Sequence, residues 1–126
     1  MNTTKILYWI GTILACGVFA FSATMYLTNT EAIQSAYQSL GFPAWLVIPM
    51  AIVKILGIVA VISRLNTFLM EWAYAGFFFD GVLAFSAHYH ANDGQFLFSV
   101  IAIIGVILSR IMLSKAFPEK KYYSVI

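Results

Sequence analysis

Charge is what this sequence has least of. Of its 126 residues only 10% are Asp, Glu, Lys or Arg, while 62% are hydrophobic and 17% aromatic. A soluble domain covers its surface with roughly 25% charged residues, so this chain leaves too much apolar surface for water. Disorder is excluded by the same count, since it requires low hydrophobicity and high charge. Cysteine is nearly absent too: Cys16 stands alone. That excludes an intramolecular disulfide and any electron shuttle through a cysteine pair within the chain. A basic stripe with interleaved aromatics is also missing, and the net charge is only +2, so no nucleic-acid partner is expected. The mean hydropathy of +0.89 instead points to one small integral membrane domain, with any chemistry in or beside the bilayer.

Four apolar runs are long enough to cross. Ile6–Tyr26 carries no charge over its length, and 21 residues at about 1.5 Å each span about 30 Å. A cleaved signal has an apolar region of only about 7 to 15 residues, so a retained span is expected. A lipoprotein signal ending at Cys16 is disfavoured because the chain stays apolar through Phe21. The other runs are Ala44–Ser63, with Lys54 and Pro49 inside it, Trp72–His88, with Asp80 inside it, and Phe96–Leu113, with Arg110 near its end. Pro49 cannot donate to the carbonyl of Trp45, so the second helix must bend there or begin later. None of the runs alternates apolar and polar residues as a barrel strand does, which makes the fold all-α, an integral membrane four-helix bundle.

Lysine and arginine are missing from two of the loops. They occur at Lys5, Arg64, Lys115, Lys120 and Lys121, and not in 27–43 or 89–95. The positive-inside rule then puts both termini and the 64–70 loop in the cytoplasm. Within 27–43, Thr28 and Glu31 have capping-box spacing and Gly41 suits a stop. A short amphipathic helix is expected at about 31–40, with Ile33, Tyr37 and Leu40 on one face, lying in the interface over the bundle. Residues 114–126 form a basic, aromatic cytoplasmic tail suited to anionic headgroups or to fraying.

Two charges lie deep in the spans. Lys54 is ten residues before Arg64 and Asp80 ten after Met70, so an antiparallel pair of helices holds them at similar depth. Such residues need a partner or a wet cavity, and they are candidates for ligand binding or proton relay. Lys54 shares its face with Met50, Gly57 and Val61, and Asp80 with Ala73, Gly76, Ala84 and Ala87. Gly57, Gly76 and Ala84 are thus expected to let the helices pack closely. Gly11, Ala15 and Ser22 on the first span, and Ser99, Ala102 and Ser109 on the fourth, make similar strips, which predicts a small, polar interior with Phe, Ile and Leu facing lipid. Glu71, Trp72 and Arg110 are expected to anchor at the interface, the charged pair by snorkelling separately into headgroups. His88 is expected at the outer mouth of the polar interior. No metal site is expected: His88 and His90 point about 200° apart on a helix, so they bind one ion only if the helix unwinds.

Leu40-Gly41-Phe42-Pro43, Lys54-Ile55-Leu56-Gly57, Glu71-Trp72-Ala73-Tyr74-Ala75-Gly76-Phe77 and Ser86-Ala87-His88 resemble the DoxX-like membrane proteins over about residues 5–115. The resemblance implies a four-helix bundle in a bacterial cytoplasmic membrane. It also implies a redox setting, since relatives include a subunit of a thiosulfate:quinone oxidoreductase and members of redox-protective membrane complexes. Three functions compete. The first is an accessory subunit, not an enzyme by itself, that binds a quinone-like molecule or lipid at Lys54, Asp80 and His88 in support of a membrane redox partner. The second is a structural or assembly subunit with Lys54–Asp80 as a helix lock. A small proton-coupled transporter is the third, and with only four spans it requires a homo-oligomer.

Overall fold

A computed structural model describes residues 2–125, and among them the chain is helical with no strand. Helix α1 runs Thr3–Thr28, and Asn2 starts it by accepting from the Lys5 backbone N–H at 2.9 Å, which satisfies one of the orphan donors of the first turn. The capping box expected at Thr28 and Glu31 does not form. Thr28 is still part of α1, its hydroxyl donating to the Thr24 carbonyl, and a single residue, Asn29, separates α1 from α2, Thr30–Ser39. Gly41, at φ +92°, ends that helix as expected, because a left-handed turn there suits only a residue without Cβ.

A 3₁₀ turn at Ala44–Leu46 leads into α3, Val47–Ser63. Pro49 therefore sits in the first turn of α3, where its missing N–H has no helical partner to lose, and the second of the two expected outcomes is the one realised. Helix α4 covers Thr67–Ala91, capped by the Asn66 side chain on the Leu69 N–H at 3.0 Å, and α5 covers Leu97–Ala116. Both α4 and α1 outrun the apolar stretches at 72–88 and 6–26, because asparagine caps start them at Thr67 and Thr3, ahead of Glu71 and Lys5, the charges that bound those stretches. Helices α1, α4 and α5, and α3 together with the 3₁₀ turn that leads into it, are long and apolar enough to span a membrane.

The helices pack in the cyclic order α1, α3, α4, α5, with α2 lying across α1 and α3 at one end. The tightest crossing joins α1 to α5. A Cβ on Gly11 would lie 2.6 Å from the Ser109 backbone nitrogen, and one on Gly105 would lie 2.7 Å from that of Ala15, so two glycines bring the backbones into contact. A buried chain of hydroxyls ties this crossing to α4: Thr12 Oγ1 and Ser109 Oγ are 2.7 Å apart, as are Ser109 Oγ and the Tyr74 hydroxyl.

The interior was expected to be small and polar, and it is not uniformly so. Tyr8, Phe19, Met70, Tyr74, Phe77 and Leu113 are all buried. Small residues concentrate at the α1–α5 crossing, whereas rings fill the space between α1 and α4, where Phe19 and Phe77 stack at 4.2 Å between centroids. Ile13, Phe21, Leu56 and Phe79 stand exposed on the outside, as lipid contact requires.

Arg64 marks one end of the bundle. Its guanidinium lies 4.3 Å from the Phe117 ring centroid and donates to the Tyr8 hydroxyl at 3.0 Å, so the start of α1 and the ends of α3 and α5 meet there. The tail beyond is tied back, since Arg110 Nη2 donates to the Tyr123 carbonyl at 2.8 Å.

The crossing makes a prediction about glycine. Gly105→Ala should destabilise the fold by ~1–3 kcal/mol, because backbone atoms cannot yield to the new methyl. Gly17→Ala, where nothing lies within 4 Å, should stabilise it by about 0.5–1 kcal/mol through helix propensity alone. Denaturant titration of the purified protein in micelles checks both; equal effects at the two positions would contradict the crossing.

Candidate functional site

The pair read from the sequence does meet. Lys54 Nζ lies 2.6 Å from Asp80 Oδ2, with side-chain exposures of 5% and 20%. Helix α3 carries the lysine on its buried face, and α4 brings the aspartate across at the same level. The ammonium also lies 5.0 Å from the Tyr26 ring centroid and 5.3 Å from that of Phe19, so two aromatic faces complement the rest of its charge. An ammonium has three donors, and among the described residues only Asp80 accepts from it. Asp80 Oδ1 likewise receives no hydrogen bond there. The pair is neutral as a whole and keeps free valence on both members.

That free valence borders a cavity. About 490 Å³ of space lies between α1, α2, α4 and α5, with Lys54 and Asp80 in its wall beside Tyr26, Tyr37 and His88. The lining is otherwise mostly apolar, from residues such as Val18, Ile33, Leu40 and Phe98. Helix α2 covers the cavity with the face that carries Ile33, Tyr37 and Leu40, and the Tyr37 hydroxyl donates to that of Tyr26 at 2.8 Å. Burial, and then the bond to Tyr26, raise the Tyr37 pKa above its ordinary value, so the hydroxyl stays a neutral donor.

His88 lies on the cavity wall, and its ring nitrogen is engaged: Nδ1 is 2.7 Å from Asp93 Oδ2. Asp93 Oδ1 accepts from the Gln95 N–H at 2.9 Å, so one carboxylate joins the end of α4 to the following loop. His90 does not join His88. The helix continues through Ala91 without unwinding, and among the described residues no three His, Cys, Asp or Glu side chains gather in a metal-binding group.

The packing residues divide. Gly57 receives the Phe77 ring, whose Cζ lies 2.8 Å from where a Cβ would be, and Ala84 lines the cavity. Gly76 faces open space, so it brings no backbone close, which corrects the expected role. Trp72 is exposed beside Phe68. Glu71 and Arg110 do not snorkel separately. They form a two-pronged pair, Nε to Oε1 and Nη2 to Oε2, both at 2.7 Å, the geometry that a planar guanidinium offers a carboxylate. Both lie near one bundle end on neighbouring antiparallel helices, which is the signal that makes the pairing readable. Tyr26, Tyr37 and Phe19 are the site residues that sequence reasoning missed, because aromatic side chains are everywhere in this chain and depth alone does not single them out.

Every residue of the cavity falls within the stretch matched by the DoxX-like family model, residues 10–110. The chain belongs to the DoxX-like family. No curated protein and no solved structure matches it. A DoxX-like chain with four such helices is a multi-pass membrane protein, and in this DoxX-like bundle the Lys54–Asp80 pair lies within the apolar layer while the Glu71–Arg110 pair lies toward the end that holds both termini.

The His88–Asp93 link generates a pH prediction. The hydrogen bond from His88, followed by that from the Gln95 N–H, holds the Asp93 carboxyl below the usual carboxylate value. A lowered folded value means that the link's contribution is fully present above the unfolded pKa of about 3.9 and is lost as pH falls through the folded one. The protection factor of the Gln95 amide, the intrinsic exchange rate at each pH divided by the observed one, should therefore be steady from neutral pH to about 4 and fall below that, and Asp93→Asn should abolish the acid dependence. A wild-type loop with no such fall in protection would contradict the link.

Proposed function

We infer that this protein binds a quinone-like or similar amphiphilic molecule in the cavity beside Lys54 and Asp80, as an accessory subunit supporting a membrane redox partner rather than as an enzyme by itself. Lys54 donates to a carbonyl or anionic oxygen of the head group, Asp80 holds the lysine in place, and His88 exchanges protons at the mouth. The chain sits in a bacterial cytoplasmic membrane with both termini inside, since Lys5, Arg64, Lys115, Lys120 and Lys121 all belong to the end that carries the termini.

The observation that carries this reading is the free valence of the ion pair on an otherwise apolar cavity of about 490 Å³. Ligand sites are of this kind: concave, mostly hydrophobic, about 300–1,000 Å³, with a few convergent polar groups. A pair needed only to lock two helices has no use for spare donors beside a cavity. The 2.6 Å contact and its aromatic surroundings nonetheless favour a second reading, a structural or assembly subunit in which the pair only joins α3 to α4.

Titration of decylubiquinone into the protein in lipid nanodiscs separates the two. Saturable binding is expected, and Lys54→Met should weaken it about tenfold or more, the equivalent of one charged hydrogen bond of ~1.5–3 kcal/mol. Lys54→Met also strands a buried carboxylate, at about 3–5 kcal/mol, whereas Lys54→Met with Asp80→Leu replaces the pair with apolar groups and should be near neutral for stability. That double variant should fold and not bind. Binding by the double variant equal to that of wild type, or no binding by wild type, would leave the lock as the surviving reading.

A further inference from the structure

A second cavity reaches the same ion pair from the opposite side. It is a cleft of about 560 Å³ between α3 and α4, and Lys54 and Asp80 are the only residues it shares with the first cavity. They are also its only charged residues. From the pair the cleft runs along Gly57, Ala60 and Gly76 toward Asn66 and Trp72. A Cβ at Gly76 would meet nothing within 4 Å. Val53, Leu56, Val59, Leu69 and Trp72 stand exposed along it, so the cleft opens sideways out of the bundle, where the hydrocarbon of the bilayer lies.

The partition between the cavities is thin. The Phe77 ring lies on the cleft side, seated against Gly57, and stacks on Phe19, which lines the first cavity. Beside that stack stands the ion pair. A group that displaces one Asp80 contact therefore meets both spaces.

We propose that the α3–α4 cleft is a lateral portal that takes the hydrocarbon chain of a single-tailed amphiphile from the bilayer, its polar head resting at Lys54 and Asp80. The occupant follows from the phase and the lining. A flexible chain fills an irregular, apolar, lipid-facing cleft without bringing polar groups that would go unpaired there. Continuity with the ion pair supplies the one place where a head group finds a donor and an acceptor. Because the tail is already in hydrocarbon before it binds, the cleft selects by shape and not by removal from water. The portal rests on the ligand reading above and extends it by specifying the tail and the route.

The experiment compares decylubiquinone with its tail-less head group, 2,3-dimethoxy-5-methyl-1,4-benzoquinone, in nanodiscs, on wild type and on Gly76→Trp, which fills the cleft at its open position. The indole should weaken binding of the tailed quinone about tenfold, ~1.4 kcal/mol, and leave the tail-less one unchanged. Equal loss of both, or no loss of either, overturns the portal. A second measurement holds even if the variant fails to fold or wild type binds neither quinone, the latter being the failure of the ligand reading alone. A benzophenone amino acid replaces Leu56 in the cleft or Ile104 on the exposed face of α5, and the protein is irradiated in native membranes. At position 56 the adducts should be enriched in one single-chain amphiphile relative to position 104. Adducts identical at the two positions, or a cross-linked pair of protein chains at position 56, overturn the portal.

Discussion

A lysine in hydrocarbon costs about 2.5–3.5 kcal/mol on insertion scales unless something receives its charge, and the arrangement around Lys54 answers that demand. Asp80 neutralises it at 2.6 Å, and Tyr26 and Phe19 turn their faces to it. To deliver those partners, α4 must match the depth of α3, α1 must present two rings, two turns apart, on either side of the ammonium, and α2 must fold back so that Tyr37 can hold Tyr26. The register of the bundle's cavity-lined half thus converges on one charge. The other half is organised differently, by the backbone contact at Gly11 and Gly105 and by the hydroxyl chain through Ser109.

This division separates rigidity from opportunity. The α1–α5 crossing is close because glycine lets it be, and it leaves no space for a ligand. On the α3–α4 side the small residues do not all serve contact: Gly57 receives a ring, and Gly76 leaves a gap. Cavities therefore flank the ion pair on both sides, with the aromatic stack of Phe19 and Phe77 between them. A second pair, Glu71 with Arg110, stands toward the end that holds the termini. It is matched on both prongs and tied further to the Tyr123 carbonyl. The contrast is informative, since that carboxylate has both oxygens engaged while Asp80 retains a free one.

Much of the fold was legible along the chain. A hydropathy run has to be about 20 residues to cross a bilayer, and that requirement marks four helices with little ambiguity. Pro49 and Gly41 likewise carry their backbone consequences with them. The ends of helices were less legible, because Asn2 and Asn66 start α1 and α4 ahead of Lys5 and Glu71, the charges at which the apolar runs stop. Thr28 illustrates the opposite error: its spacing to Glu31 suits a cap, yet the helix simply continues through it. At the site, equal depth was enough to pair Lys54 with Asp80, while Glu71 and Arg110 were read separately because each had an acceptable fate in the headgroups.

By itself the sequence determined the class of the protein, the number of crossing helices and the two charges in need of a reason, because each of these follows from the energetics of a chain in hydrocarbon and from spacing along it. Only the tertiary structure decided what surrounds those charges. Whether a small residue closes a contact or opens a cleft depends on what the neighbouring helix presents opposite it, and Gly105 and Gly76, both glycines on spanning helices, went opposite ways for that reason. The same holds for the rings. Phe19 and Tyr26 became part of a site because α1 brought them to the ammonium that α3 carries, and Tyr37 because α2 folded back onto Tyr26, and no local pattern distinguishes them from the aromatics that face lipid.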